Sequence, residues 1–163
     1  MEAVDHRSHR FEVQTTWTGN SGQGTANYRA YCRDHEITGA QKTLPIPCSS
    51  DAAFRGDASR YNPEELLVAS LSACHMLWML HLCADAGITV SAYSDQASGV
   101  MAEGADGSGR FTEVTLHPVM TISDPARIQE AEALHAKAHE LCFIANSVNF
   151  PVLCASPLVT AEQ

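Results

Sequence analysis

Six cysteines, at positions 32, 48, 74, 83, 142 and 154, carry the most reactive chemistry available to this chain of 163 residues. Cysteine attacks as the thiolate, and burial raises a thiol's pKa unless a positive group compensates. No two of the six form a Cys-x-x-Cys pair, and they are too sparse and too apolar in setting for a secreted disulfide scaffold. A reducing cytoplasm is the expected location, with each cysteine either a small core residue or a reactive thiol. Cys74 sits between Leu66 and Ala84, a run without Asp, Glu, Lys or Arg. A thiol buried there is inert on its own, and its ordinary role is that of a small hydrophobe filling a core. Cys32, Cys83 and Cys154 read as core residues in the same way. Cys48, within Ile-Pro-Cys-Ser-Ser, has the setting of an exposed thiol with no assigned role.

Histidine offers the other route to chemistry. His135 and His139 stand one turn apart on an expected helix, a spacing that can hold zinc. Their run is His-Ala-Lys-Ala-His-Glu rather than His-Glu-x-x-His, and no third ligand stands out. No metal is expected, and both read as helix-surface residues. His75 projects roughly 100° away from Cys74 around a helix, so adjacency in sequence does not make it a base for that thiol. His81 returns to nearly the Cys74 face, but too far along the axis for contact. A serine-hydrolase reading fails for want of a Gly-x-Ser-x-Gly elbow.

The elements that must position these residues begin with a helix from Pro63 to about Ala86. Asn62 is a preferred cap, Pro63 suits the first helical position, Glu65 completes a capping box, and Gly87 supplies the stop. The helix is apolar on every side, which predicts burial in a core or in a membrane. Two serines, two histidines and the lack of a flanking Lys/Arg bias favour a core. A second helix is expected from Ser123 or Asp124 to about Cys142, with Ala131, Leu134, Ala138, Leu141 and Cys142 on its inner face. Residues 11 to 38 read as a hairpin in which Phe11, Val13, Thr15 and Trp17 alternate. Its return strand is placed at Ala26 to Cys32. A third extended piece runs from Glu36 to Ile46, and residues 49 to 61 read as loop. Further strands are expected at Ile88 to Met101, Arg110 to Ile122 and Pro151 to Thr160. Together these predict one α+β domain over residues 1–163.

Composition narrows the partners. The chain is 45% hydrophobic, enough for a core, and its net charge of −9 with no basic run excludes a phosphate-backbone ligand. Its first ten residues are charged and lack an apolar centre, unlike a secretory leader.

Asn62-Pro-Glu-Glu-Leu-Leu67, followed by small residues and then Ala73-Cys74, resembles the central-helix motif of the OsmC/Ohr family, the osmotically inducible and organic hydroperoxide resistance proteins. In that family a helix opening Asn-Pro-Glu carries the reactive cysteine ten residues after the glutamate, and Glu64 to Cys74 keeps that spacing. Ala138-His-Glu-Leu-Cys142 is similar to the helix end that bears the family's second cysteine. The order of strands, loop and helices follows the same plan over nearly the whole chain.

The resemblance implies antiparallel sheets packed around a long buried central helix in an intertwined homodimer. It also implies a peroxiredoxin-like peroxidase in which Cys74 attacks an organic hydroperoxide and Cys142 resolves the sulfenate as a disulfide. A dithiol reductant, lipoyl-type or a small thiol, would reopen that bond without a cofactor. The family's helix-start glutamate corresponds to Glu64, and the arginine it holds is assigned to Arg55 in Phe54-Arg-Gly56, in preference to Arg60. Ten helical residues rise roughly 15 Å, so Glu64 and Cys74 must be linked by a bridging arginine or by another subunit. One departure stands out. Proline usually follows the family's second cysteine, whereas here the run is Cys142-Phe-Ile-Ala. A redox-sensing or apolar-ligand-binding module of the same fold is the alternative to an enzyme.

Overall fold

The computed structural model describes residues 8–162. Residues 1–7, most of the charged start considered above, lie outside the described residues. The chain divides into two compact units, Met1–Glu65 and Leu66–Gln163.

In the first unit, strands β1 (Gln14–Trp17), β2 (His35–Thr38) and β3 (Ile46–Cys48) form an antiparallel sheet in that order. The partner of β1 is therefore β2, with Trp17 opposite His35, and the return strand expected at Ala26 to Cys32 does not form. Side-chain bonds to the backbone take its place. Asn20 Oδ1 accepts from the N–H groups of Gly22 and Gly24 at 2.9 and 3.0 Å, and Asn27 Oδ1 accepts from Arg29 N–H at 2.9 Å. Arg33 donates to the carbonyls of Tyr31 and Tyr28 at 2.6 and 2.8 Å and stacks over both rings at 4.2 Å. Such local bonds offer the chain an alternative to a ladder. Two cysteine expectations reverse here: Cys32 is exposed, whereas Cys48 is fully buried at the end of β3.

Helix α1 (Pro63–Asp85) starts as the first unit ends. Its capping box forms as expected: Asn62 Oδ1 accepts from Glu65 N–H at 2.8 Å, and Glu65 Oε2 accepts from Asn62 N–H at 3.1 Å. At the other end Gly87 adopts φ 70°, where a side chain is disfavoured, and Ile88 N–H closes on the Cys83 carbonyl at 2.8 Å. Burial on every side is not what the structure shows. One stripe, Leu71, His75, Met79 and Cys83, is buried, while Leu77 is 61% exposed. By length and composition α1 alone among the described helices could cross a membrane.

The second unit holds two three-stranded mixed sheets. Strands β4 (Val90–Asp95) and β7 (Pro118–Ile122) pair antiparallel and are joined in parallel by β9 (Leu158–Ala161). Strands β5 (Ser98–Glu103) and β6 (Gly109–Leu116) do the same with β8 (Val152–Cys154). Each long strand expected from the sequence thus breaks in two, and its halves belong to different sheets. Asp95 marks one break by accepting His117 N–H at 2.7 Å, between β6 and β7. Pro118 and Pro157, lacking an N–H, stand at the other transitions.

Helix α2 (Ile128–Leu141) follows a 3-10 turn at Pro125–Arg127 that Asp124 caps through Ala126 N–H at 2.9 Å. Met79 and Cys83 pack with Ile88, Met120, Ile122, Ala131, Ala138 and Val159, while Leu71 packs with Val114, Leu116 and Val152. The inner stripe of α1 therefore anchors the core of this unit.

Candidate active site

Cys74 lies one position off the buried stripe of α1, and that offset decides its setting. It is half-buried and lines a cleft of about 430 Å³ whose walls are Ala73, Leu77, Trp78, Phe143 and Ile144. Trp78 stands edge-on to Phe143 at 5.7 Å between ring centres, so the cleft is bounded by two aromatic surfaces. Apart from Cys74, its titratable lining among the described residues is His81, which is 3.4 Å from Asp85. Among the described residues, no lysine or arginine lines it. A thiol in this place meets apolar guests, and any cation that favours its thiolate must come from outside the lining.

Cys142 ends α2 and is 2% exposed, on the inner side as its spacing predicts. Its Sγ accepts from Ala145 N–H at 3.4 Å. Burial pushes its pKa up to about 11; the neighbouring Cys74 thiol adds to the rise, and the Ala145 N–H opposes it. Cys142 is therefore a protonated thiol at neutral pH, beside Cys74, and both are free. The turn that proline usually shapes is built by other means. The Cys142 carbonyl accepts from Asn146 N–H at 3.0 Å, and Asn146 Nδ2 donates to the Glu140 carbonyl at 2.9 Å.

The other two expected residues belong to the first unit. Glu65 is committed to the cap, which leaves Glu64 in the first turn without that duty. Arg55 is exposed and adopts φ 67°, closing a 3-10 turn at Ala52–Phe54. The next residue must be glycine, since a Cβ on Gly56 would lie 1.6 Å from the Ser50 carbonyl oxygen. Arg60 is already engaged, 3.7 Å from Asp34 and 3.6 Å from Asp57. Among the described residues, Arg55 and Glu64 form no ion pair with each other. The structure thus brings the two cysteines together.

One cluster escapes the sequence reading. His135, expected on the helix surface, is buried against His75, with His75 Nε2 and His135 Nδ1 2.9 Å apart and the rings stacked. Ala131, His135, Ala138 and Cys142 share the helical period of the inner face, so a stricter use of spacing places His135 inside.

The family model for OsmC-like protein matches residues 56–154, a stretch that contains both cysteines. This chain belongs to the OsmC-like family. Solved structures agree with that membership. An OsmC-like protein of unknown function from Vibrio cholerae superposes with a TM-score of 0.81 at 29% identity, covering 90% of this chain and 98% of its own. An organic hydroperoxide resistance protein from Elizabethkingia anophelis gives 0.65 at 22% identity, with 96% and 100% covered. One from Legionella pneumophila gives 0.63 at 20% identity over the same shares. At such identities the last two show the shared fold. No curated protein matches the sequence. In this OsmC-like chain the α+β architecture is thus as the resemblance implied.

Proposed function

We propose that this OsmC-like protein is a cytoplasmic thiol peroxidase that reduces organic hydroperoxides. The observation that carries the reading is Cys74 lining an apolar cleft of about 430 Å³ with the Cys142 thiol beside it. The Cys74 thiolate attacks the distal peroxide oxygen; the O–O bond breaks, and the alkoxide leaves as the alcohol after taking a proton. Cys74 is left as a sulfenic acid. The Cys142 sulfur then displaces water from it, forming the Cys74–Cys142 disulfide, which a dithiol of the lipoyl type or a small thiol reduces by exchange. Leu77, Trp78 and Phe143 suit an alkyl or aryl group better than hydrogen peroxide, which has no apolar part to bury.

Arg55 supplies the cation that the cleft lacks, and Glu64, with which it makes no ion pair in the single chain, holds it once two copies assemble. The working form is a homodimer in which these two residues come from the partner of the chain that provides Cys74. Peroxide consumption with cumene hydroperoxide and a dithiol tests the chemistry. Wild type is expected to turn over, Cys74→Ser to be inactive, and Cys142→Ser to stall after one oxidation. Absence of wild-type turnover with both thiols oxidisable would instead support a redox sensor, and retention of an apolar ligand without peroxide loss a binding module.

A further inference from the structure

On the buried stripe of α1, one residue past Cys74, the structure gathers groups that the peroxide chemistry does not use. His75 and His135 are 1% and 4% exposed, and their facing nitrogens share one hydrogen bond of 2.9 Å. Cys154, at the end of β8, completes the group: one nitrogen of each ring and its Sγ all lie within 4.8 Å of one another. Among the described residues, the outward ring nitrogens His75 Nδ1 and His135 Nε2, and Tyr93 Oη, are buried without a hydrogen-bond partner. Asp95 lies nearby, its carboxylate fixed by Ser72 Oγ at 2.6 Å and His117 N–H at 2.7 Å. Two buried imidazoles and a thiol gathered this closely call for an explanation, and an ion held by all three is one.

We propose that His75, His135 and Cys154 form a binding site for a borderline-soft transition-metal ion, with zinc(II) as the first choice. Two imidazoles and one thiolate match that class in donor type and number, with further positions left for solvent. The facing nitrogens of the two rings, 2.9 Å apart, are close enough to serve one ion. The hydrogen bond shows where the ion goes. Two neutral rings carry two N–H protons, one of them between the rings. As the cation enters, the ring that donates this bond shifts its proton to its own outward nitrogen, so each ring keeps one N–H there and both facing lone pairs meet the metal. Cys154 loses its proton to solvent as its sulfur binds, so one proton is released per ion. A second cleft of about 390 Å³, lined by Glu132, His135, His139 and Cys154, gives the ion a way in. Asp95 supplies nearby negative charge.

Cobalt(II) and zinc(II) titrations of the full chain, under reducing conditions, test this site. Cobalt is expected to bind one equivalent and to show a thiolate charge-transfer band, which zinc then displaces. The band should survive in Cys74→Ser and in Cys142→Ser, but disappear in Cys154→Ser with at least a tenfold loss of affinity; His135→Gln should weaken binding alike. Zinc should also protect Cys154 of the wild type from maleimide, read by peptide mass, which keeps the test valid if a variant fails to fold. Loss of the band in Cys74→Ser would place the metal in the peroxidase cleft and overturn the proposal. So would the absence of stoichiometric binding, or unchanged labelling of Cys154. None of these readouts depends on peroxide turnover.

Discussion

Burial gives the two cysteines of the cleft unequal chemistry. Cys142 is held as a thiol by a pKa near 11, chiefly because it is desolvated, so that rise persists once Cys74 has become a sulfenic acid. Only the thiolate attacks effectively, and at pH 7 its share at a pKa of 11 is on the order of one in ten thousand. The thiolate gains population as pH rises, so disulfide closure should quicken about tenfold per pH unit between pH 7 and 10. Stopped-flow fluorescence of Trp78, a wall of the same cleft, reads this step after a single peroxide addition. A flat profile would show that Cys142 is not the limiting nucleophile. The two cysteines were legible because each lies in a short motif on one helix. The His75–His135 contact was not, because it joins residues sixty positions apart and exists only once α1 and α2 pack.

At the scale of elements, local signals carried far. Asn62, Pro63, Glu65 and Gly87 act within a turn of where they stand, and α1 begins and ends where they place it. The face that α1 turns inward was illegible, since apolar residues occupy every side and the periodic contrast that reveals a face is missing. The strands failed for a related reason. Alternation marks an extended segment, but it does not record that β4 and β5, or β6 and β7, go to different sheets. Leu71 tests the inward stripe directly, as it is fully buried among Val114, Leu116 and Val152. Leu71→Ala removes that side chain and leaves a cavity, and the expected loss is about 2–5 kcal/mol in urea unfolding. A loss below about 0.5 kcal/mol would mean that the stripe does not bear on the core.

For the whole molecule, the question is what covers the apolar surface that the second unit leaves outside. Leu77, Phe143, Leu158 and Val100 are each more than half exposed, and α1 presents part of this surface. A second copy is the proposed cover, and it also answers the distance problem, because Glu64 and Cys74 are separated along α1 by roughly 15 Å of helical rise. Light scattering at micromolar concentration should give twice the chain mass of 17.6 kDa. The decisive measurement mixes two inactive variants, Cys74→Ser and Arg55→Ala, after unfolding and refolding them together. If Arg55 serves the Cys74 of its partner, each mixed dimer contains one complete site and one empty of both residues. Mixed dimers are half of a random population, so activity should return to about a quarter of the wild-type value. If each chain built its own site, every site in the mixture would lack one residue and no activity would return. A monomer that turned over peroxide would end the dimer proposal altogether.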